Sequence, residues 1–575
     1  MSLLLLSVIV IAVLVVGYFT YGSFVARQYQ LDDKKDTPAV VRNDGADFVP
    51  TRPFYLMGQH FSAIAAAGPI VGPIAACLAF GWLPSILWIA LGVVFIGAVH
   101  DFSALIASVR HGAGSIAEIA RRNLSRRAWL AMLAFIYIAL IYVIVAFADV
   151  TASTFVGRTE ELAGEFSFNA GGAVAAASTL YLLLALVMGV VQRKLAPPMW
   201  LVTVIFVPAT LVTVWLGTKV STVLVFGVPS WHIAILTYCF VASLLPMWLL
   251  QQPRGYLGGF VLYLVLGVSL AGILFGGFTI QQPAIRAAAG GSAAEQMLFP
   301  FLFVTIACGA CSGFHGLVCG GTTSKQVERE SHCKPIGFGA MLLEGLVALI
   351  ALGTVMIVVP GEIGGRAPGK LYGDGVAAFL SVLIGEEWRI FAATFGAMAF
   401  STFVFDTIDV ATRLGRYLLQ ELAGGLLGPI LGRSSRVAGS AITAGLALGV
   451  LLSSGEGSWR KFWVLFGTSN QLLASLTLLA VTVWLYRTGR RCWYTLAPLI
   501  FLMTVTVTAL VVQAAEGMAA LRTTGLRWDP TILNGAVAVL MIGLTVVFVI
   551  EALRAVQEER RLKPLRAPMH VSGSD

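Results

Sequence analysis

Charged side chains are scarce in this sequence: Asp, Glu, Lys and Arg together make 12% of its 575 residues, about half the share usual in a soluble domain. A water-soluble fold would lack the polar surface to cover itself, and the mean hydropathy of +0.86 agrees. Cysteine is also sparse. The seven cysteines lie mostly within or beside apolar runs, and the acidic loop 151–171 has none, which excludes a disulfide framework. The P-loop GxxxxGK[ST], HExxH, CxxCH and GxSxG are all missing. An ATP-driven pump and a membrane enzyme are therefore unexpected, and no catalytic residue or cofactor is assigned.

What the sequence has is long apolar runs. About 20 apolar residues cross the hydrocarbon core of a bilayer. On that rule spans fall near 3–25, 60–80, 83–109, 128–149, 172–191, 199–217, 231–250 and 257–278. Seven more fall near 297–319, 336–359, 388–412, 437–454, 461–485, 493–513 and 532–553. The expected architecture is an all-α polytopic membrane protein of about fifteen helices in one membrane domain. The first run, Leu3 to Phe24, is too long for a signal-peptide core and reads as a retained span. The apolar run 375–385 is short and suits a re-entrant or interfacial helix.

The net charge of +9 raises the question of nucleic acid, which the placement of the charges answers. With fifteen spans and the N-terminus outside, 28 of the 38 Lys and Arg residues fall in loops on the cytoplasmic side. One missed span would swap every later loop and ruin that asymmetry. The basic excess then needs only a membrane and its lipid, and the C-terminus is cytoplasmic.

Two spans are interrupted by helix breakers. The first contains Gly58-Gln59-His60 and the pairs Gly68-Pro69 and Gly72-Pro73; the second runs from Cys308 through Ser312-Gly313-Phe314-His315 to Thr322. Backbone groups freed inside a bilayer must find partners, so such breaks survive where they line a cavity. The two are seven crossings apart and so run in opposite directions, as the lead helices of inverted repeats would. The plainer alternative is that these glycines and prolines serve helix packing. Each broken span is followed by one carrying a lone carboxylate among apolar residues, Asp101 and then Glu344. Burying such a group is costly unless it is paired, hydrated or protonated. Both are candidates for a proton-coupling path, with a structural salt bridge or hydrogen bond as the alternative, and His100 reads as a hydrogen-bond partner of Asp101.

A third cluster lies on the eleventh span, where Ser401, Thr402, Asp406 and Asp409 can share one helical face and offer hard oxygens to a small cation or a proton. Its alternative is an interfacial cap in which Arg413 and Arg416 pair the acids. Cys308, Cys311, His315 and Cys319 also fall on one face of a continuous helix, so a soft metal site is conceivable beside the reading of cysteine as a small apolar residue.

The stretches RPFYLMGQHFSAIAAAGPIVGPIAA, GVVFIGAVHDFSALIASVRHG, IACGACSGFHGLVCGGTTSK, GFGAMLLEGLVALIAL and FGTSNQLLA strongly resemble the carbon starvation protein A family, over nearly the whole chain. The resemblance implies a bacterial inner-membrane transporter for peptides and pyruvate under nutrient limitation, energised by protons. It also implies a relation to the amino acid-polyamine-organocation superfamily, with its LeuT-like core of five plus five helices in inverted repeat. On that template a leading helix (1–30) precedes a core (50–486) with an inserted hairpin near 231–278. Two trailing helices (493–555) and a cytoplasmic tail (556–575) follow. The substrate site is expected at the two breaks, from His60, Ala67, Gly68, Pro69, Ser312, Gly313, His315 and Thr322. A channel or permease for a metal, using the Cys/His face, is the alternative.

Overall fold

The computed structural model describes residues 2–44, 48–65, 67–162, 166–286, 297–427, 434–454, 459–525, 527 and 529–566. Among them the chain is mostly helical, with one small antiparallel hairpin that pairs Thr159–Leu162 with Phe166–Asn169. Part of the expected tail, 567–575, lies outside the described residues.

Among the described residues, twelve helices are long and apolar enough to cross a membrane. They are not equivalent in the packing. In Trp459–Arg487 and Glu330–Met356, 89% and 83% of the apolar window is buried, against 28% in Met199–Lys219 and 33% in Leu3–Tyr29. The first two are therefore central, and the others turn most of their surface outward. The segment Val228–Leu244 is shorter but apolar, and it lies between Arg126–Phe155 and Ser434–Ser454. The run 375–385 belongs to a longer helix, Pro368–Ile384, which packs on Gln251–Phe275 and Arg389–Leu427.

The two interrupted spans are broken, though not at every residue the sequence marks. Pro53–Ile64 and Gly68–Phe80 meet at 47°. Pro69 stands at the start of the second helix, where a missing N–H costs no hydrogen bond. Pro73 lies inside that helix without interrupting it, so only the first Gly-Pro pair marks the break. In the second span the helix stops at Thr305 and resumes at Gly313. The irregular stretch is thus 306–312. His315, expected within the unwound segment, sits in the first turn of the resumed helix.

Gly81 closes the turn after Gly68–Phe80 at φ +92°, and a Cβ there would lie 2.5 Å from the Ala284 carbonyl oxygen. Both the conformation and the approach require glycine.

Candidate functional site

The second break is held open by one helix face. The helix ends on either side of a break in an apolar interior need partners for their free N–H and C=O groups, and Trp459–Arg487 supplies them. Trp463 donates its indole N–H to the Thr305 carbonyl at 3.2 Å, and Gln471 donates its amide to the Phe303 carbonyl at 2.9 Å. Asn470 Oδ1 accepts from the Phe314 N–H at 2.9 Å. That bond caps the helix Gly313–Gly321, whose own N-cap residue, Ser312, makes no capping bond. The Asn470 amide also donates to Ser312 Oγ at 3.0 Å and to Cys308 Sγ at 3.1 Å. Residues 463, 470 and 471 are spaced at two turns, which puts them on one side of their helix.

The first break abuts the second. A Cβ on Gly68 would lie 2.3 Å from Cys308 Sγ, and one on Gly72 would lie 2.5 Å from the Thr305 carbonyl oxygen. Ala67, Gly68 and Pro69 are all buried, Gly68 and Pro69 against this second segment. His60, one turn before the break, bonds through Nδ1 to Thr323 Oγ1 at 2.8 Å. Thr322, at the far end of the resumed helix, donates to the Val318 carbonyl at 3.1 Å.

At this junction the two lone carboxylates converge on one imidazole. His315 Nδ1 lies 2.7 Å from Asp101 Oδ2, and His315 Nε2 lies 3.0 Å from Glu344 Oε2. The other Asp101 oxygen is 2.7 Å from His100 Nδ1. The contact to Glu344 has ion-pair distance without hydrogen-bond alignment, so both Glu344 oxygens stand without a hydrogen-bond partner among the described residues. All four side chains are within 1% of complete burial. Helices Trp82–Arg110 and Glu330–Met356 each carry one acid, and the resumed helix of the second break carries the histidine between them.

The third cluster does not form as one unit. Ser401 bonds to Ser178 Oγ at 2.6 Å and Thr402 points back to Met398 Sδ at 3.2 Å. Asp406 and Asp409 both pair with Arg254, a fully buried guanidinium from Gln251–Phe275 that also donates to Tyr238. Arg413 and Arg416 take no part, bonding instead to the carbonyls of Ala242, Leu245 and Ser243. The expected cap is therefore replaced by an internal counter-ion, and the expected cation ligands already have one. In the sequence Arg254 lies in a short polar stretch between two apolar runs, which reads as a loop. A further buried pair, His232 Nε2 to Asp149 Oδ1 at 2.9 Å, joins two helices and had no sequence signal beyond an isolated acid in an apolar run.

The residues of the soft-metal face do not share one continuous helix. Its spacing assumes an unbroken helix, but Cys308 and Cys311 lie in the irregular stretch. Cys308 faces Asn470 and Gly68, whereas Cys319 Sγ approaches the Asp101 carbonyl at 3.6 Å. Among the described residues no group of three His, Cys, Asp or Glu side chains is arranged to hold a metal.

A helical multi-pass membrane protein whose two broken segments meet at a buried acid–histidine chain is the class that fold and site define. The chain belongs to the carbon starvation protein CstA family, whose model matches residues 2–366 and 363–509. It is 33% identical over 544 residues to the peptide transporter CstA of Helicobacter pylori J99, covering 83% of this chain and 76% of that protein. To the pyruvate/proton symporter BtsT of Escherichia coli K12 it is 31% identical over 596 residues, covering 88% and 81%. To the peptide transporter CstA of Bacillus subtilis 168 it is 32% identical, covering 98% of both. Among solved structures, a manganese transporter of Eremococcus coleocola aligns at 13% identity with a TM-score of 0.46, over 89% of this chain and 99% of that one. That score is too low to define a shared fold.

Proposed function

We propose that this chain is a secondary active transporter of the inner membrane that takes up pyruvate or short peptides with protons when carbon is scarce. The observation that carries the reading is the buried chain Asp101–His315–Glu344, which joins the helix after each break to the second break itself. Two carboxylates on one buried imidazole make a site whose proton count changes when water reaches it. Alternating access brings water first from one side and then from the other. The names of the Escherichia coli and Helicobacter pylori relatives motivate the substrate classes.

Substrate binds in this reading where the breaks touch, among Gly68, Pro69, Ser312, Gly313 and His315, with His60 at the edge. Asn470 joins this set because its amide already orders Ser312 and the helix start. Pyruvate and peptides share a carboxylate, which suits backbone N–H groups at a half-helix start. Asp406 and Asp409 have a structural role, fixed by Arg254, rather than a coupling one.

The architecture we infer is two inverted five-helix repeats of the LeuT-like kind, and reciprocal packing supports it. Gly68–Phe80 packs on Ala340–Met356 as Gly313–Gly321 packs on Ala98–Arg110. Gln251–Phe275 packs on Arg389–Leu427 as Trp459–Arg487 packs on Arg126–Phe155. Val228–Leu244 touches Arg389–Leu427 as Ser434–Ser454 touches Arg126–Phe155. This pairing makes Val228–Leu244 and Gln251–Phe275 the fourth and fifth helices of the first repeat. The inserted hairpin becomes Ala170–Leu195 with Met199–Lys219, in place of 231–278. Adding the two broken spans and Val228–Leu244 to the twelve long helices gives fifteen crossings, with the N-terminus outside and the C-terminus in the cytoplasm.

The test is uptake of labelled pyruvate and of a labelled dipeptide into proteoliposomes, each with and without an inward proton gradient. Gradient-driven accumulation of one of them is expected. Accumulation of neither by folded protein contradicts the proposal.

A further inference from the structure

Away from the breaks, on the face that the charge distribution assigns to the cytoplasm, a cleft of about 580 Å³ opens between four parts of the chain. Its walls carry Lys35, Arg42, Arg110 and Arg490 against Asp36 and Glu330, a net of two positive charges. Glu330 is already committed: Arg110 holds it through two hydrogen bonds, Nε to Oε1 at 2.9 Å and Nη2 to Oε2 at 2.8 Å. Arg490 is anchored by the Tyr29 carbonyl, and among the described residues no carboxylate comes within ion-pair distance of it. Burial, with the like charge of Arg110 beside it, holds the Arg490 guanidinium below its ordinary value. Arg42 is anchored by the Gly112 carbonyl at 3.2 Å, and Trp484 supplies a flat apolar wall.

We propose that this cleft is a binding site for a multiply charged anion bearing phosphate or carboxylate groups. Planar guanidinium groups recognise such groups bidentately, and the volume lies within the range of small-molecule sites. Cations gathered around a half-buried space repel one another, so an anion there relieves repulsion as well as forming contacts. Two sources carry this chemistry, a soluble polyanion and the headgroup of an anionic lipid. The linker from Lys35 to Arg42 leads into the first broken segment, while Arg110 and Trp484 lie at the ends of Trp82–Arg110 and Trp459–Arg487. A ligand spanning the cleft fastens that linker to two helices of the core.

The test uses the purified full chain. Inorganic pyrophosphate is titrated calorimetrically at low ionic strength in detergent. Thermal unfolding is compared in nanodiscs of phosphatidylcholine alone and with phosphatidylglycerol. Saturable pyrophosphate binding identifies a soluble anion, and a rise in Tm confined to phosphatidylglycerol identifies a headgroup. Either response should weaken about tenfold in the double variant Lys35→Gln, Arg42→Gln, whose side chains are exposed, and further when Arg490→Gln is added. If Arg490→Gln does not fold, the exposed pair decides alone. Absence of both responses, or a response unchanged in the folded double variant, overturns the proposal.

Discussion

At the scale of single residues, the proposed coupling rests on His315 and the two carboxylates it bridges. Glu344→Gln keeps the shape and removes the ionisable oxygen, so gradient-driven accumulation should fall at least tenfold while exchange of labelled for unlabelled substrate continues. Full accumulation by the variant would remove Glu344 from the coupling path. Arg254 makes a different kind of contribution. Arg254→Gln leaves Asp406 and Asp409 without their counter-ion in a dry interior, a loss of about 3–5 kcal/mol. It should appear as a marked drop in Tm, whereas an unchanged Tm would deny the ion pair its structural role. Asp101, Glu344 and His315 were legible in the sequence because ionisable groups stand out in apolar helices. That they meet was not, since no spacing rule links Asp101 to a histidine more than two hundred positions away, or that histidine to an acid on a separate helix. Arg254 was hidden by its neighbours, a short polar stretch that reads as a loop until packing buries it. Asn470 and Gln471 were in view within a quoted motif, but their work is to satisfy a break in another segment, which local sequence cannot express.

At the scale of elements, glycine and proline correctly marked two spans as broken, yet the exact positions followed packing. The second break falls before the glycine-rich stretch because Trp463, Asn470 and Gln471 satisfy its backbone at 303, 305 and 314. Once its start is capped, the run Gly313–Gly321 is free to be helical. The glycines are used for close approach instead. A Cβ on Gly313 would lie 2.4 Å from the Asn470 carbonyl oxygen and 2.5 Å from the Ala474 nitrogen. Gly313→Ala should therefore push Trp459–Arg487 away and abolish uptake. Gly449→Ala, with nothing within 4 Å of the added carbon, should leave uptake and Tm unchanged. Equal effects of the two substitutions would show that helix propensity, not contact, governs both sites. The cysteine spacing meets the same limit: a face defined on a continuous helix does not carry over where the helix is broken. Replacing Cys308 and Cys311 by serine should accordingly preserve uptake in the presence of a metal chelator, and loss of uptake would revive a role for the thiols.

At the scale of the whole molecule, the helical membrane class and most of the spans were legible from hydropathy, while the grouping of helices was not. Insertions do not announce themselves in composition, and in the two-repeat architecture proposed above it is the matching contacts of Gln251–Phe275 and Trp459–Arg487 that support counting the former as a repeat helix. The orientation is testable independently of transport. A phosphatase reporter, active only outside the cytoplasm, should be inactive after residue 566 and active when inserted near Val220, between the two helices of the proposed hairpin and Val228–Leu244; the reverse pattern would invert the topology. The central claim is that the acid–histidine chain moves protons with substrate. The most direct measurement is internal pH in proteoliposomes that carry no imposed gradient, recorded as external pyruvate or dipeptide is added. Internal acidification that requires the transported substrate, and that is lost in Glu344→Gln while substrate exchange persists, is the expected result. Substrate entry by the native chain with no accompanying change in internal pH would contradict it.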